Sequence, residues 1–337
     1  MKNNMHADKV KHPKKANVAQ PKISQSATTE KRYRISGHES FPCRYAWLPK
    51  VVRLVRHSPQ SLLNDEDAMV EMGLGKNMVK SARFWAQAAN IITLSRNGVF
   101  LTPFGDLILG KGTLDPFLED IRTLWLIHWN LSTDVSTPLL AWDLLLSRWQ
   151  EPEIIPSAAV RFLYKEASVR DDKLSLETLQ RHVEVFLHSY IPTRGKKGKV
   201  QEDSLDCPLV ELALLQKTAE RESALDNGEH ESVYIFRREE KPEISSELFT
   251  YCLADYWLKH HKTEHTLVFH DVAHGHGSPG QVFKLPEADV RTRLETINAT
   301  SCDYLVYTES AHLHQIRRTG KDMNLEKLLK HIYTRES

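Results

Sequence analysis

Cysteine is scarce: Cys43, Cys207, Cys252 and Cys302 are scattered through 337 residues. No two form a CxxC pair and no zinc spacing occurs, which excludes a disulfide framework and a cysteine-built zinc site. The expected compartment is the reducing cytoplasm, with mostly buried thiols. An excess of one charge is also missing, since 45 Lys and Arg against 44 Asp and Glu leave a net charge of +1. Whole-chain basicity therefore does not argue for nucleic acid, and any such surface must be a local patch. No apolar run approaches the ~20 residues that span a membrane, and no secretory core is visible, so no membrane partner is expected. The common catalytic signatures are lacking too. There is no P-loop, GxGxxG, GxSxG, HExxH or kinase set. The many acids form no DxD or PD…ExK pattern of the kind two-metal nucleases use. Spacing alone therefore carries an argument for DNA binding and none for bond cleavage.

What is present is an ordinary apolar share of 41%, enough for real cores. The chain is organised around residues 50–106. Asn64-Asp65 opens a short helix through Met72, and Gly73 ends it. A second helix follows from Leu74 to Asn90. Ile91-Ile92-Thr93-Leu94 and Val99-Phe100-Leu101-Thr102 are β-rich runs around Asn97-Gly98, a strong hairpin signal. The order helix, tight turn, helix, hairpin predicts a winged helix-turn-helix, whose second helix enters the major groove. Met78, Ala82, Trp85 and Ala89 form its apolar stripe. Lys76, Asn77, Lys80, Arg83 and Gln87 fall mostly off it and suit phosphate, guanine or adenine, as does Arg96 in the hairpin turn for phosphate. A solvated helix on a fold used for protein contacts is the competing reading.

Residues 1–31 carry seven lysines, no aromatic residue and almost no apolar periodicity, and are expected to be a disordered basic tail. Residues 34–50 are the densest stretch, with His38, Glu39, Arg44, Lys50, Phe41, Tyr45 and Trp47. It is either a site or a segment that staples the N-terminus onto the domain. Residues 117–191 predict a run of helices: Phe117–Leu131, Pro138–Trp149, Ser157–Ala167 and Leu174–Tyr190. Thr193 to Lys199 is a basic loop, and Ala219–Glu231 is polar and exposed. From Val233 a C-terminal α/β module begins, with strands at Val233–Phe236 and Thr266–Phe269 and helices at Ser246–His261 and Pro286–Ile297. A hairpin of Tyr304–Tyr307 with His312–Ile316 closes it. Arg237, Arg238, Arg317 and Arg318 are its candidate DNA contacts. The expected architecture is mainly α with small β-hairpins (α+β). It comprises a winged-helix domain at 32–115, a helical middle at 116–230 and a second winged-helix-like module at 231–337.

His270, Asp271, His274 and His276 fall within seven residues and include ligand types that Zn or Mn accepts. Short His-rich runs also occur in ordinary loops, so this is a candidate metal set without a family spacing.

Three stretches, Gly37 to Lys50, Gly73 to Val79 and Gly277 to Leu285, with Asp203 to Leu209 in support, together resemble a bacterial family. It is known as Domain of Unknown Function 4007, with SspB-like members in DNA phosphorothioation systems. The resemblance covers nearly all of the chain after residue 31. It implies a protein that binds double-stranded DNA and nicks it, so that sulfur can replace a phosphate oxygen in anti-phage defence. It implies partners as well: a cysteine desulfurase, an adenylating sulfur-transfer enzyme and an ATPase, with a homodimer consistent with the picture. A divalent metal, Mg or Mn, belongs to the catalytic version. On the matching motif, His38 and Glu39 are the expected proton-transfer or metal-contact residues, and Arg44 and Lys50 the expected phosphate contacts. The alternative is a non-catalytic winged-helix protein that recruits modifying enzymes or regulates transcription.

Overall fold

The computed structural model describes residues 33–96, 98–110, 112–168, 174–192, 207–222, 230–310 and 313–334. The expected tail at 1–31, the basic loop at 193–199, residues 203–206 and Asn97 lie outside them. From Lys31 onward the chain forms one compact unit. Among the described residues no helix is long and apolar enough to cross a membrane.

The N-terminal part comprises α1 (Trp47–His57), α2 (Asp65–Met72), α3 (Lys76–Ala88), β1 (Ile92–Ser95), β2 (Gly98–Leu101) and α4 (Pro103–Leu109). Asn64 caps α2 by accepting from the Glu66 amide, and Asp65, Glu66 and Asp67 meet the positive end of the helix. Gly73, at φ +62°, turns the chain out of α2 as a left-handed C-cap. β1 and β2 pair antiparallel from Ile92 opposite Leu101 to Ser95 opposite Gly98. The expected order of helix, turn, helix and hairpin is thus found at the expected places. α3 buries Val79, Ala82, Phe84, Trp85, Ala86 and Ala88, while Met78 is only half-buried.

The middle holds α5 (Ile121–Ser132), α6 (Leu140–Ser147), α7 (Pro156–Ser168) and α8 (Leu176–Tyr190). α5 starts four residues later than expected, because Asp120 accepts from the Arg122 amide and caps it there. Leu118 has φ +60°, which no helix continues through, and Phe117 is 70% exposed. Every residue of α5 from Thr123 to Ser132 is buried, as expected of a helix enclosed on all sides.

Three further strands, β3 (Glu153–Ile154), β4 (Leu215–Glu222) and β5 (His230–Phe236), form an antiparallel sheet in the order β3-β5-β4. β4 runs into the stretch read from sequence only as polar and exposed. All its residues but Leu215 are exposed, so no alternation marks it. The segment boundary expected at 230/231 falls at the start of β5, whose sheet partners lie earlier in the chain.

The C-terminal part comprises α9 (Ser246–His260), β6 (Thr266–Val268), α10 (Phe269–His274), α11 (Pro279–Val282), α12 (Glu287–Glu295), α13 (Ile297–Thr300), β7 (Leu305–Ser310), β8 (Leu313–Arg318) and α14 (Leu325–Ile332). Its antiparallel sheet runs β6-β8-β7. The architecture is mixed α+β with small antiparallel sheets. Distant segments are tied together. The Arg34 amide donates to the Pro138 carbonyl at 2.8 Å, and Arg34 and Leu139 form a parallel bridge. Thr123 Oγ1 and Tyr333 Oη share a hydrogen bond of 2.6 Å.

Candidate functional site around the first turn of α6

The segment at 33–44 docks against the start of α6, and two histidine pairs meet there. His38 is 3% exposed, and its Nε2 lies 3.2 Å from Nδ1 of His182 on α8. The Ala141 amide of α6 donates to His182 Nε2 at 3.1 Å, and the Ser40 amide reaches His38 Nδ1 at 3.2 Å. Donors therefore stand at both ends of the two-ring chain. No neutral tautomer satisfies all three contacts at once, because serving both outer donors would put two N–H groups face to face in the middle. Burial pushes His38 down to about 4, against a smaller upward pull from the Ile35 carbonyl. Burial, and then the neighbouring His38, push His182 down to about 3. Both rings are neutral core residues at pH 7.

The loop around His38 is unusual in its backbone. Gly37, Glu39 and Ser40 have φ of +104°, +49° and +63°. A Cβ on Gly37 would come within 3.0 Å of the Phe84 ring. Ser81 of α3 donates to the His38 carbonyl at 2.9 Å. The His38 ring thus points into the core, while Glu39 points to solvent. The two residues expected to share proton transfer diverge.

The second pair is Asp143 with His276. Asp143 Oδ1 lies 2.8 Å from His276 Nε2, and its Oδ2 accepts from Tyr33 Oη at 3.1 Å. The Gly277 amide donates to Ser147 Oγ at 3.1 Å. Residues 33, 143 and 276 are thereby brought to one point by the N-terminal segment, α6 and the turn after α10. Sequence reading singled out neither Tyr33 nor Asp143, and no spacing links them to His276.

The expected metal set does not assemble. His276 turns to Asp143, whereas His274 Nε2 lies 2.5 Å from Glu287 Oε1. His270 sits one turn before His274, with ring centroids 5.1 Å apart. The exit from α10 at Gly275 sends His276 away from both. Among the described residues no three His, Cys, Asp or Glu side chains gather as a metal site.

The expected DNA contacts divide in two. Lys76, Asn77 and Arg96 are exposed, Lys80 and Gln87 are half-buried, and Arg238 and Arg317 are exposed. The others are engaged within the protein. Arg83 pairs with Asp65 at 3.0 Å. Lys50 Nζ donates to the Met72 carbonyl at 2.8 Å, at the end of α2. Arg44 lies over Trp47, 5.5 Å from the ring centroid. Arg237 binds Glu243 and the Leu212 carbonyl. Arg318 stacks 5.0 Å from the Trp257 centroid and donates to the Lys262 carbonyl at 3.2 Å.

Lys284, inside one of the family-like stretches, is fully buried, with Nζ 4.4 Å from the Phe236 ring centroid and bonded to the Leu146 carbonyl. Burial, followed by repulsion from Arg238 and Lys241, holds its ammonium well below the ordinary lysine range.

A family described as a protein of unknown function (DUF4007) matches residues 35–333. No curated protein matches. Among solved structures, the chain resembles a magnesium ion-bound SspB crystal structure with a TM-score of 0.74 and 24% identity, over 88% of this chain and 87% of the other. It resembles a second SspB crystal structure with a TM-score of 0.76 and 22% identity, over the same shares. Likeness at these identities establishes a shared fold.

Proposed function

This chain belongs to the DUF4007 family, and from that premise we propose that it is the DNA-binding and DNA-nicking component of a bacterial phosphorothioate modification system acting in anti-phage defence. The observation that carries the reading is the fold shared with SspB over 88% of the chain. α2, α3 and the β1–β2 hairpin serve as a winged helix, with α3 in the major groove of double-stranded DNA. Lys76 and Asn77 are exposed at the start of α3, Lys80 is half-buried one turn on, and among the described residues no acid pairs with either lysine. Arg96 on the hairpin and Arg238 and Arg317 on the C-terminal part extend the phosphate contacts. Arg83, Lys50, Arg237 and Arg318 act by holding those surfaces in shape.

In this reading His38 holds the loop that presents Glu39, and Glu39 faces the DNA. Arg44 braces the same loop from Trp47. Sulfur arrives from partners: a cysteine desulfurase, an adenylating sulfur-transfer enzyme and an ATPase. The chain acts with them in the cytoplasm as a homodimer. One similar structure is described with magnesium. The described residues of this chain present no cluster of three donors for such an ion.

The test is purified protein on supercoiled plasmid with Mg or Mn, beside a chelator control. Conversion to open circle is the expected result, and a plasmid that stays supercoiled under every metal condition sinks the nicking half. The buried His38 favours a second reading, a DNA-recruiting subunit without chemistry. That reading predicts a retarded but unbroken plasmid.

A further inference from the structure

We propose that His276, held by Asp143, is the acid–base group of strand cleavage. The inference rests on the nicking reading and gives it a residue that the family-like motifs did not supply. Asp143 is the positioning residue. Its side chain is 8% exposed, and its two oxygens are taken by His276 Nε2 at 2.8 Å and Tyr33 Oη at 3.1 Å. A carboxylate accepts, so Nε2 carries the proton; this tautomer is assigned from the network. His276 Nδ1 then keeps its lone pair. That atom is buried and has no hydrogen-bond partner among the described residues. A buried polar atom without a partner is uncommon in native folds and calls for an explanation. Here the explanation is a water molecule that belongs at Nδ1 when the substrate is bound.

The surroundings fix the ring on both sides. Gly275 packs so closely that a Cβ there would run into the Asp271 carbonyl and sit 2.5 Å from Tyr256 Oη. Gly277 has φ +71°, lies against His260 of α9 and donates to Ser147 on α6. A histidine between two such glycines, with one nitrogen on a carboxylate and the other free, is arranged as a base oriented by a third group. The side chain of His276 is 29% exposed.

The step balances without a further reactant. Nδ1 takes a proton from water as the water oxygen bonds to phosphorus. One P–O ester bond breaks, and the departing alkoxide takes the proton from the imidazolium. The products are a phosphomonoester and a free hydroxyl, and His276 is returned to its starting form.

The experiment compares wild type, His276→Gln, His276→Ala and Asp143→Asn on supercoiled plasmid, with gel retardation and thermal unfolding measured alongside. Gln keeps an amide that reaches Asp143 but has no basic nitrogen. Its nicking rate is expected to fall by roughly 100-fold or more, the scale of general acid–base catalysis, with retardation unchanged. Free imidazole is expected to restore part of the rate to His276→Ala, which a purely structural role would not allow. Nitrogen NMR of the histidine ring should find the Nε2–H tautomer in wild type and, because the amide oxygen still accepts, in Asp143→Asn, whose nicking rate should nevertheless fall with the counter-charge gone. His276→Gln nicking at the wild-type rate, or the Nδ1–H tautomer in wild type, overturns the inference while leaving the nicking reading standing. A wild type that retards DNA but does not nick it overturns both.

Discussion

Two histidine pairs hang from one turn of α6, at Ala141 and Asp143, and they differ in what faces the ring. His182, on the Ala141 amide, faces another imidazole, and the pair is sealed in the core. His276 faces a carboxylate, and its side chain is only partly buried. An imidazole beside a second imidazole has no counter-charge, so a proton added to either is opposed by burial. An imidazole beside a carboxylate can carry charge and pass it on. The same residue type, held by the same turn of α6, thus builds a lock in one place and, in the proposal above, a proton handler in the other. Chemistry follows the partner, and sequence proximity to a motif is a weaker guide.

The largest test of this contrast is acid. His38 and His182, with the fully buried His128 also pushed down to about 4, have folded values below the ordinary 6.5. The unfolded chain therefore binds more protons. Stability is complete above pH 6.5 and falls as pH drops from there towards 4, by roughly 1.4 kcal/mol per pH unit for each histidine that must stay neutral. Urea unfolding at stepped pH measures it. A flat profile across that window means that the sealed pair is not neutral.

Next in size is His182→Ala. It empties a buried site and leaves the Ala141 amide without an acceptor, for an expected loss of about 3 kcal/mol in denaturant unfolding. Asp143→Asn keeps a hydrogen-bond acceptor for His276 and should cost only about 1 kcal/mol. If the two substitutions cost the same, both pairs are structural and the contrast collapses. Lys284→Met replaces a buried amine by an apolar chain of similar length. Losing the bond to Leu146 offsets the gain in desolvation, and the net change is expected to stay within about 1 kcal/mol. The smallest effect on stability belongs to Lys76→Ala with Lys80→Ala, within about 0.5 kcal/mol, since both are surface positions. The same pair should lower the salt slope of DNA affinity by about 2, one for each lost phosphate contact.

Local chemistry was legible in the sequence, and convergence was not. Asn64 and Gly73 bracket α2 where their cap preferences place them, and Gly98 takes a positive φ in the hairpin that Asn97-Gly98 signalled. These features depend on residues within a few positions of one another. β4 escaped because both its faces meet solvent, so its side chains carry no period of two. The His270–His276 run suggested one metal set because adjacency in sequence stands in for adjacency in space. A single turn at Gly275 undoes that. Asp143 and His276 are 133 residues apart, and only the packing of α6 against that turn joins them. His38 was expected in proton transfer or metal contact, and nothing local foretold that its ring would be buried against His182, 144 positions away.

The bridge between Arg34 and Leu139 sets an order of events for the ribosome. The segment at 33–44 has no bridge partner for Arg34 until Leu139 has been made, more than a hundred residues later. Its histidine waits longer still, for α8. Closing so long a loop costs entropy that only the finished core repays. The segment at 33–44 therefore docks fully only after α6 and α8 have been made, and until then its apolar partners on α3 and α6 stay partly uncovered for chaperones to guard.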